Sequence, residues 1–369
     1  MNILHITEEL SKKNYSISSL VIFLSKYIEN KKKIKHIILA TKLQSSIFND
    51  SSKIILIKEN YFSNIRKINF KIKNLIEKSD VVHIHGVWKW INFIGFYYCI
   101  RFSIPFFIHT HGMLLENALK NKNIFNYLIK IFFLKIYKLM STKKINFISI
   151  TPKESKSIYK HFKNAIVHLI PNPVPIDVKN KNVKLNNNFV YFGRIHPIKN
   201  LFLMIEAFDR ANLSDLWKLN IYGIKDDSDY YQKIIDLIKT KRNIFIKKPI
   251  FLKEKLKILS TSWVNLLLSK SEVLSISVLE SAALGLPSLV NKDIQINRFR
   301  LNGGVITNTD IKSVVKNIIT ISKWSTESRN KRGKQLNKFI NKHYSIKVIS
   351  IRYLELYNSL LKLKKSIRH

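Results

Sequence analysis

Two glutamates eight residues apart, Glu272 and Glu280, stand in the segment Ser271-Glu272-Val273-Leu274-Ser275-Ile276-Ser277-Val278-Leu279-Glu280. The apolar run Val264–Leu268 before it reads as a strand, which puts Glu272 in a strand-to-helix loop and Glu280 inside the helix. Backbone amides opening such a helix can receive phosphate oxygens. A plainer chemistry for the same residues is a capping box between Ser277 and Glu280. Gly285 then closes the helix from its C-terminal side.

A second group is Gly193-Arg194-Ile195-His196-Pro197-Ile198-Lys199, which follows the apolar strand Phe189–Phe192. Gly193 permits close backbone approach. Arg194 supplies a forked donor and Lys199 a point charge, a combination suited to a diphosphate. The alternative is two solvated cations among 64 basic residues.

Histidines form the third group, in His83-Ile84-His85-Gly86-Val87-Trp88 and Thr110-His111-Gly112-Met113-Leu114. His83 and His85 alternate on one strand, yet linear spacing supplies no third metal ligand, so no metal is expected there. His5, His36 and His168 read as core or surface residues. The acidic run Asp226-Asp227-Ser228-Asp229 superficially suits a metal but falls where a helix starts, which aspartate favours.

Positioning these groups requires an α/β framework. Short β-rich runs alternate with helical patterns, the mark of parallel sheets. Strands are expected at Asn2–Ile6, Ile34–Ala40, Lys53–Ile57, Val81–His85, Pro105–His109, Ile145–Ile150 and Ile166–Ile170. Helices are expected at Ile17–Ile28, Ile65–Glu77 and Asn123–Met140, and Thr151-Pro152 reads as an N-cap followed by proline. Three prolines in Pro171–Pro175 and the asparagine-rich run Lys179–Asn188 mark a linker. Beyond it the alternation restarts with strands at Phe189–Phe192, Lys218–Tyr222, Asn243–Ile246, Val264–Leu268 and Pro287–Val290. The expected plan is two doubly wound, Rossmann-like domains facing an interdomain cleft. Residues 1–175 form the first, 176–188 the linker and 189–342 the second, and a last helix in 343–369 is placed to cross back to the first domain.

The chain has 369 residues, 46% of them hydrophobic, which excludes an intrinsically disordered protein. One cysteine, Cys99, allows no internal disulfide. The segment Asn2–Ile6 is too short for a signal peptide, and charges interrupt the apolar stretches Trp90–Ile108 and Ile124–Leu139, so a cytoplasmic protein without a spanning helix is expected. Net charge is +40, a field that attracts polyanions or anionic lipid. Only 11 of the 64 basic residues are Arg, and the abundance of Lys, Ile and Asn also fits AT-rich coding. A basic nucleic-acid-binding protein is a competing class, but no binding module or aromatic-interleaved basic stripe is found, and no nucleic acid is expected as a partner.

Taken in order, these motifs resemble those of GT-B glycosyltransferases, in particular the retaining glycosyltransferase family 4 (glycosyl transferases group 1). The carrying residues are Gly193-Arg194…Lys199, Glu272…Glu280 with Gly285-Leu286-Pro287, the two histidine motifs, and Ile170-Pro171-Asn172-Pro173-Val174, spread over nearly the whole chain. The resemblance implies that Arg194 and Lys199 bind the donor diphosphate and that Glu280 meets the donor ribose. It likewise places Glu272 against the transferred sugar, Gly193 and Leu274–Ile276 around phosphate and sugar, and His111 near the reaction centre. His85 and Ser16 fall on the acceptor side. Also implied are a nucleotide-diphosphate sugar, no metal or other cofactor, and a glycan or lipid-linked acceptor at the cytoplasmic membrane face in surface-polysaccharide or lipopolysaccharide synthesis. A nucleotide-sugar epimerase of the same fold is the alternative. Three features depart from the family: Glu8–Ser16 holds no glycine, the usual Glu-Gly-Phe-Gly reads Glu272-Val273-Leu274-Ser275, and a glycine-rich turn is reduced to Tyr222-Gly223-Ile224.

Overall fold

The computed structural model describes residues 1–11, 14–32, 34–44, 53–57, 65–119, 124–141, 144–174 and 184–366. Lys12, Lys13, Lys143, the linker run 176–183 and the basic tail after Ser366 lie outside the described residues. The chain divides into two compact units, Met1–Pro175 with Ile346–His369, and Ile176–Ser345.

The first unit begins β1 (Asn2–Leu10), α1 (Tyr15–Lys32), β2 (Lys35–Leu43), β3 (Lys53–Leu56), α2 (Ile65–Glu77) and β4 (Val81–His85). It continues with α3 (Trp90–Arg101), β5 (Phe106–His109), α4 (Glu116–Leu119), α5 (Ile124–Met140), β6 (Asn146–Ser149), α6 (Pro152–His161) and β7 (Ile166–Leu169). Its seven strands run in the order β3-β2-β1-β4-β5-β6-β7, with every pairing parallel. Strand order reverses at β1–β4, the place where such sheets receive ligands beyond their carboxyl ends. The apolar stretch Trp90–Ile108 resolves into α3 and β5, and Thr151 caps α6 with its side chain accepting the Glu154 N–H at 3.2 Å.

The second unit contains β8 (Asn188–Ile195), α7 (Leu201–Arg210), β9 (Lys218–Lys225), α8 (Ser228–Ile238), β10 (Ile244–Lys247) and α9 (Leu252–Thr261). Then come β11 (Val264–Leu267), α10 (Ile276–Ala283), β12 (Ser288–Asn291), β13 (Val305–Thr307), α11 (Ile311–Ser322) and α12 (Thr326–Tyr344). The parallel order is β10-β9-β8-β11-β12-β13, reversing at β8–β11. Two expected loops prove to be strand. β8 runs on through Gly193 and Arg194, and β9 runs on through Gly223, so the Tyr222–Ile224 segment is strand and not a turn. The short β13 and the polar α12 carry too little apolar pattern to be read from sequence. All eight residues of α10 are buried, and Gly285 takes a φ of +73° just past its end. α12 crosses there so closely that a β-carbon on Gly333 would overlap the Gly285 carbonyl.

The last helix, α13 (Ile346–Ser366), belongs to the first unit. Its Ile349, Tyr353, Leu356, Tyr357 and Leu360 pack with Leu20, Leu24 and Ile28 of α1 over Ile3, Val81 and Phe107 of the sheet. Side chains alternate across a strand, so Leu4, Ile6, Val82, Ile84 and Ile108 point the other way, into the layer of α2, α3 and α5.

Candidate active site

In the second unit the cations and carboxylates singled out by sequence meet at the carboxyl ends of β8 and β11. Lys199 ends a short 3-10 turn, Pro197–Lys199, and its Nζ is ion-paired with Glu272 Oε1. The same oxygen accepts the Ser269 hydroxyl at 2.8 Å, and the Lys270 N–H donates to the Ile198 carbonyl at 2.8 Å, tying the two loops together. Asn200 starts α7 with a φ of +56°, the sharp corner that turns Lys199 back toward β11. Arg194 does not join this pair. Its Nη1 lies 2.7 Å from Asp226 Oδ2, while its side chain stays 42% exposed and open to a ligand. A β-carbon on Gly193 would overlap the Tyr191 hydroxyl, which donates to the Arg194 carbonyl at 2.8 Å. Asp226 is thus a site residue that sequence reading passed over. Asp227, by contrast, is the expected helix start, accepting the Tyr230 N–H at 2.9 Å.

Leu274, Ser275, Ile276 and Glu280 are all buried. The helix begins two residues earlier than a capping box at Ser277 requires. Ser275 is the N-cap, accepting the Val278 N–H at 3.4 Å, which puts Glu280 in the second turn, beyond the reach of that motif. Instead Glu280 Oε2 is ion-paired with Lys255 Nζ of α9. Lys255 also sits 5.4 Å from the centre of the Phe192 ring. The result is a buried carboxylate, ion-paired with Lys255, at a helix whose opening amides can receive phosphate oxygens.

In the first unit, parallel register gathers five histidines and a neighbouring loop on one sheet face. His5 of β1 pairs with His83, His85 pairs with His109, and His36 sits opposite Ile3. Four imidazoles form a chain: His36 Nδ1 to His5 Nε2 at 2.9 Å, His5 Nδ1 to His85 Nε2 at 3.0 Å, and His85 Nδ1 to His111 Nε2 at 3.1 Å. His5 and His36 are therefore core residues with polar partners, and His168 stands apart, bonded to Asn146. Burial holds His5, His83, His85 and His109 well below the usual histidine range, lowers His36 to about 4 and lowers His111 to about 3, so the rings are neutral at pH 7.

His111 has a φ of +49° and precedes Gly112 at +79°. That tight loop is pinned by the buried Glu154, whose Oε1 accepts from the Thr110 hydroxyl and the Gly112 N–H and whose Oε2 accepts the Ile150 N–H at 2.7 Å. Burial raises the Glu154 carboxyl above its usual range against the pull of those bonds. Glu154 positions His111, a role its place three residues after a threonine N-cap did not reveal. Ser16 lies in the first turn of α1. The glycine-free connection before it is closed by side chains: Ser18 Oγ accepts the Ser11 N–H at 3.0 Å, and Asn14 donates to Glu9 at 2.9 Å.

α5 buries only Leu134 and Tyr137. Ile124, Phe125, Leu128 and Phe132 are 70%, 66%, 56% and 61% exposed, so the helix leaves a broad apolar face bare.

Two parallel α/β units, the second gathering cations and carboxylates at its strand switch, define the GT-B glycosyltransferase fold. Residues 175–339, nearly the whole of the second unit, match the family described as "Glycosyl transferases group 1". Among solved structures, Anabaena HepE in complex with UDP and glucose superposes with a TM-score of 0.78 at 12% identity, covering 97% of this chain and 100% of that one. A glycosyltransferase from Rickettsia africae ESF-5 gives 0.77 at 15% identity, with 98% of each chain covered. WaaG, a glycosyltransferase involved in lipopolysaccharide biosynthesis, gives 0.71 at 11% identity over 95% of this chain and 99% of that one. No curated protein matches the chain by sequence.

Proposed function

We propose that the protein is a retaining glycosyltransferase that moves a sugar from a nucleotide-diphosphate donor to a glycan or lipid-linked acceptor. The observation that carries this reading is the Lys199–Glu272 pair at the β8–β11 switch, with Arg194 on the same strand end and Glu280 in the helix that follows. In this reading Glu280 takes the donor ribose hydroxyls, and the amides opening α10 with Arg194 and Lys199 take the diphosphate. As the sugar becomes oxocarbenium-like, negative charge collects on the departing diphosphate, and the two cations with the helix amides stabilise it in place. Glu272, turned toward Lys199, meets the transferred sugar. No side chain is assigned as a nucleophile, and the incoming acceptor oxygen enters on the face that the diphosphate leaves, its proton passing to a departing phosphate oxygen. His111 serves the acceptor side with Ser16, and the buried His85 supports it from behind through its Nδ1.

The setting proposed is surface-polysaccharide or lipopolysaccharide assembly at the inner face of the membrane. Support comes from α5, where exposed Ile124, Phe125, Leu128 and Phe132 alternate with Lys130, Lys135 and Lys138. An apolar helical face edged by lysines inserts into an anionic interface without spanning it, and no helix among the described residues is long and apolar enough to cross. HepE in complex with UDP and glucose supports a nucleotide-sugar donor, and WaaG, involved in lipopolysaccharide biosynthesis, supports this setting.

The direct test is a panel of nucleotide sugars scored by thermal stabilisation, since a ligand that binds only the native state raises the melting temperature. Stabilisation by one nucleotide sugar, followed by release of its nucleoside diphosphate when a glycan acceptor is added, is expected. Stabilisation by none of the panel overturns the reading.

A further inference from the structure

We infer that His5, His83 and His85 form a binding site for a divalent transition-metal ion of the zinc class inside the first unit. The inference does not rest on the donor chemistry of the second unit, and its test does not use transfer activity.

Each of the three residues offers one ring nitrogen, and these atoms all lie within 4.8 Å of one another. His5 Nδ1 and His85 Nε2 are 3.0 Å apart, while His83 Nε2 is buried with no hydrogen-bond partner among the described residues. A tetrahedral zinc ion about 2.0–2.1 Å from each nitrogen sets neighbouring ligand atoms roughly 3.4 Å apart. Two of the three are already about that close, and the third lies within 4.8 Å of both.

The outer nitrogens strengthen the assignment. A ligating histidine almost always donates its other ring N–H to an acceptor that fixes its tautomer. Here each has one. His5 Nε2 faces His36 Nδ1 at 2.9 Å, His83 Nδ1 faces the Tyr357 hydroxyl at 3.1 Å, and His85 Nδ1 faces His111 Nε2 at 3.1 Å. All three imidazoles are neutral, the form that binds metal, and they sit on three residues of two adjacent core strands, β1 and β4. A second trio, His85, His109 and His111, is as compact. It lacks the outer support, since both ring nitrogens of His109 are without partners among the described residues. The Tyr353 hydroxyl, buried in the same layer with no partner among the described residues and its ring 5.7 Å from that of His83, or a water supplies the fourth position.

Occupancy has a consequence for His111. With His85 Nε2 on the metal, the His85 proton moves to Nδ1 and donates to His111 Nε2, which places the His111 proton on Nδ1.

The experiment takes full-length protein without a polyhistidine tag, strips it with a chelator, and titrates it with Zn²⁺ against a competing indicator and with Co²⁺ by visible absorption. One ion per chain is expected, with the intense absorption of tetrahedral Co²⁺. His83→Ala should abolish binding. Tyr357→Phe, which keeps the ring and removes only the acceptor, should weaken it about 10- to 100-fold. His109→Ala should leave affinity within a few-fold. Absence of a bound ion overturns the proposal. So does a site lost in His109→Ala and kept in His83→Ala, which places the ion on the other trio. Should His83→Ala not fold, Tyr357→Phe decides: unchanged affinity overturns the assignment.

Discussion

The carboxylate of Glu280 and the ammonium of Lys255 are ion-paired, with side chains only 2% and 9% exposed, in the helix and on the neighbouring helix that flank the β11 loop. Removing one partner of a buried pair strands the other's charge. Glu280→Ala is therefore expected to cost about 3–5 kcal/mol of folding stability. The double variant Lys255→Met/Glu280→Leu should recover most of it by filling the space with apolar groups. In the proposed donor site Glu280 also meets the ribose. Calorimetry should then show both variants losing nucleoside-diphosphate affinity worth about 1.5–3 kcal/mol. Full affinity in the stable double variant would reduce Glu280 to a structural role.

Arg194 is held by Asp226 yet largely exposed, which suits a group that waits for charge to develop. Arg194→Ala is expected to lower kcat by roughly 10²–10³ while changing KM far less, because the leaving diphosphate is more charged in the transition state than in the bound donor. Steady-state kinetics checks this. A variant whose sole defect is a higher KM would assign Arg194 to ground-state binding alone.

Glu154 accepts two hydrogen bonds from the Thr110–Gly112 loop and a third from the Ile150 N–H, tying that loop to the end of β6. Glu154→Ala leaves those donors buried without acceptors, at about 1–3 kcal/mol for each that water cannot reach. Urea unfolding should report the loss. Turnover should fall further than stability explains, with nucleotide affinity unchanged because the second unit is untouched. A parallel loss of nucleotide affinity would contradict a role confined to the His111 loop.

Sedimentation with anionic vesicles checks α5. Binding at low salt is expected, weakening with ionic strength as contributions of about 1 kcal/mol per basic residue near the surface are screened. Phe125→Asp and Phe132→Asp, both at exposed positions, should reduce binding while melting behaviour stays that of the parent. Equal binding by these variants would leave the lysines to act without insertion.

Much of the framework is legible in the chain because strand cores are short, β-branched and bounded by turn residues. Val81–His85 and Ile65–Glu77 fall on the residues expected. Strand ends were harder: Gly193 and Gly223 look like turn residues, but both extend their strands, where the glycines make room for Tyr191 and Ile195. The histidine layer was half legible. Alternation put His83 and His85 on one face, but the missing third member, His5, lies 78 residues away and is delivered by the β1–β4 register, which linear spacing does not encode. Lys255 was invisible for a similar reason, being one lysine among many until α9 packs on α10. The apolar wealth of α5 reads the same whether the helix is covered or bare, and only the folded unit decides.

The return of α13 to the first unit also dictates an order of assembly. A ribosome delivers the seven strands of that sheet first, yet the helix that covers Ile3, Val81 and Phe107 is made only after residues 176–345. Domains generally fold as units from the N-terminus during synthesis; here the contiguous second unit can close while the first still lacks part of its own core. The earlier half thus remains unfinished for the longest time, with its histidine layer open to solvent and to solutes until the last helix arrives.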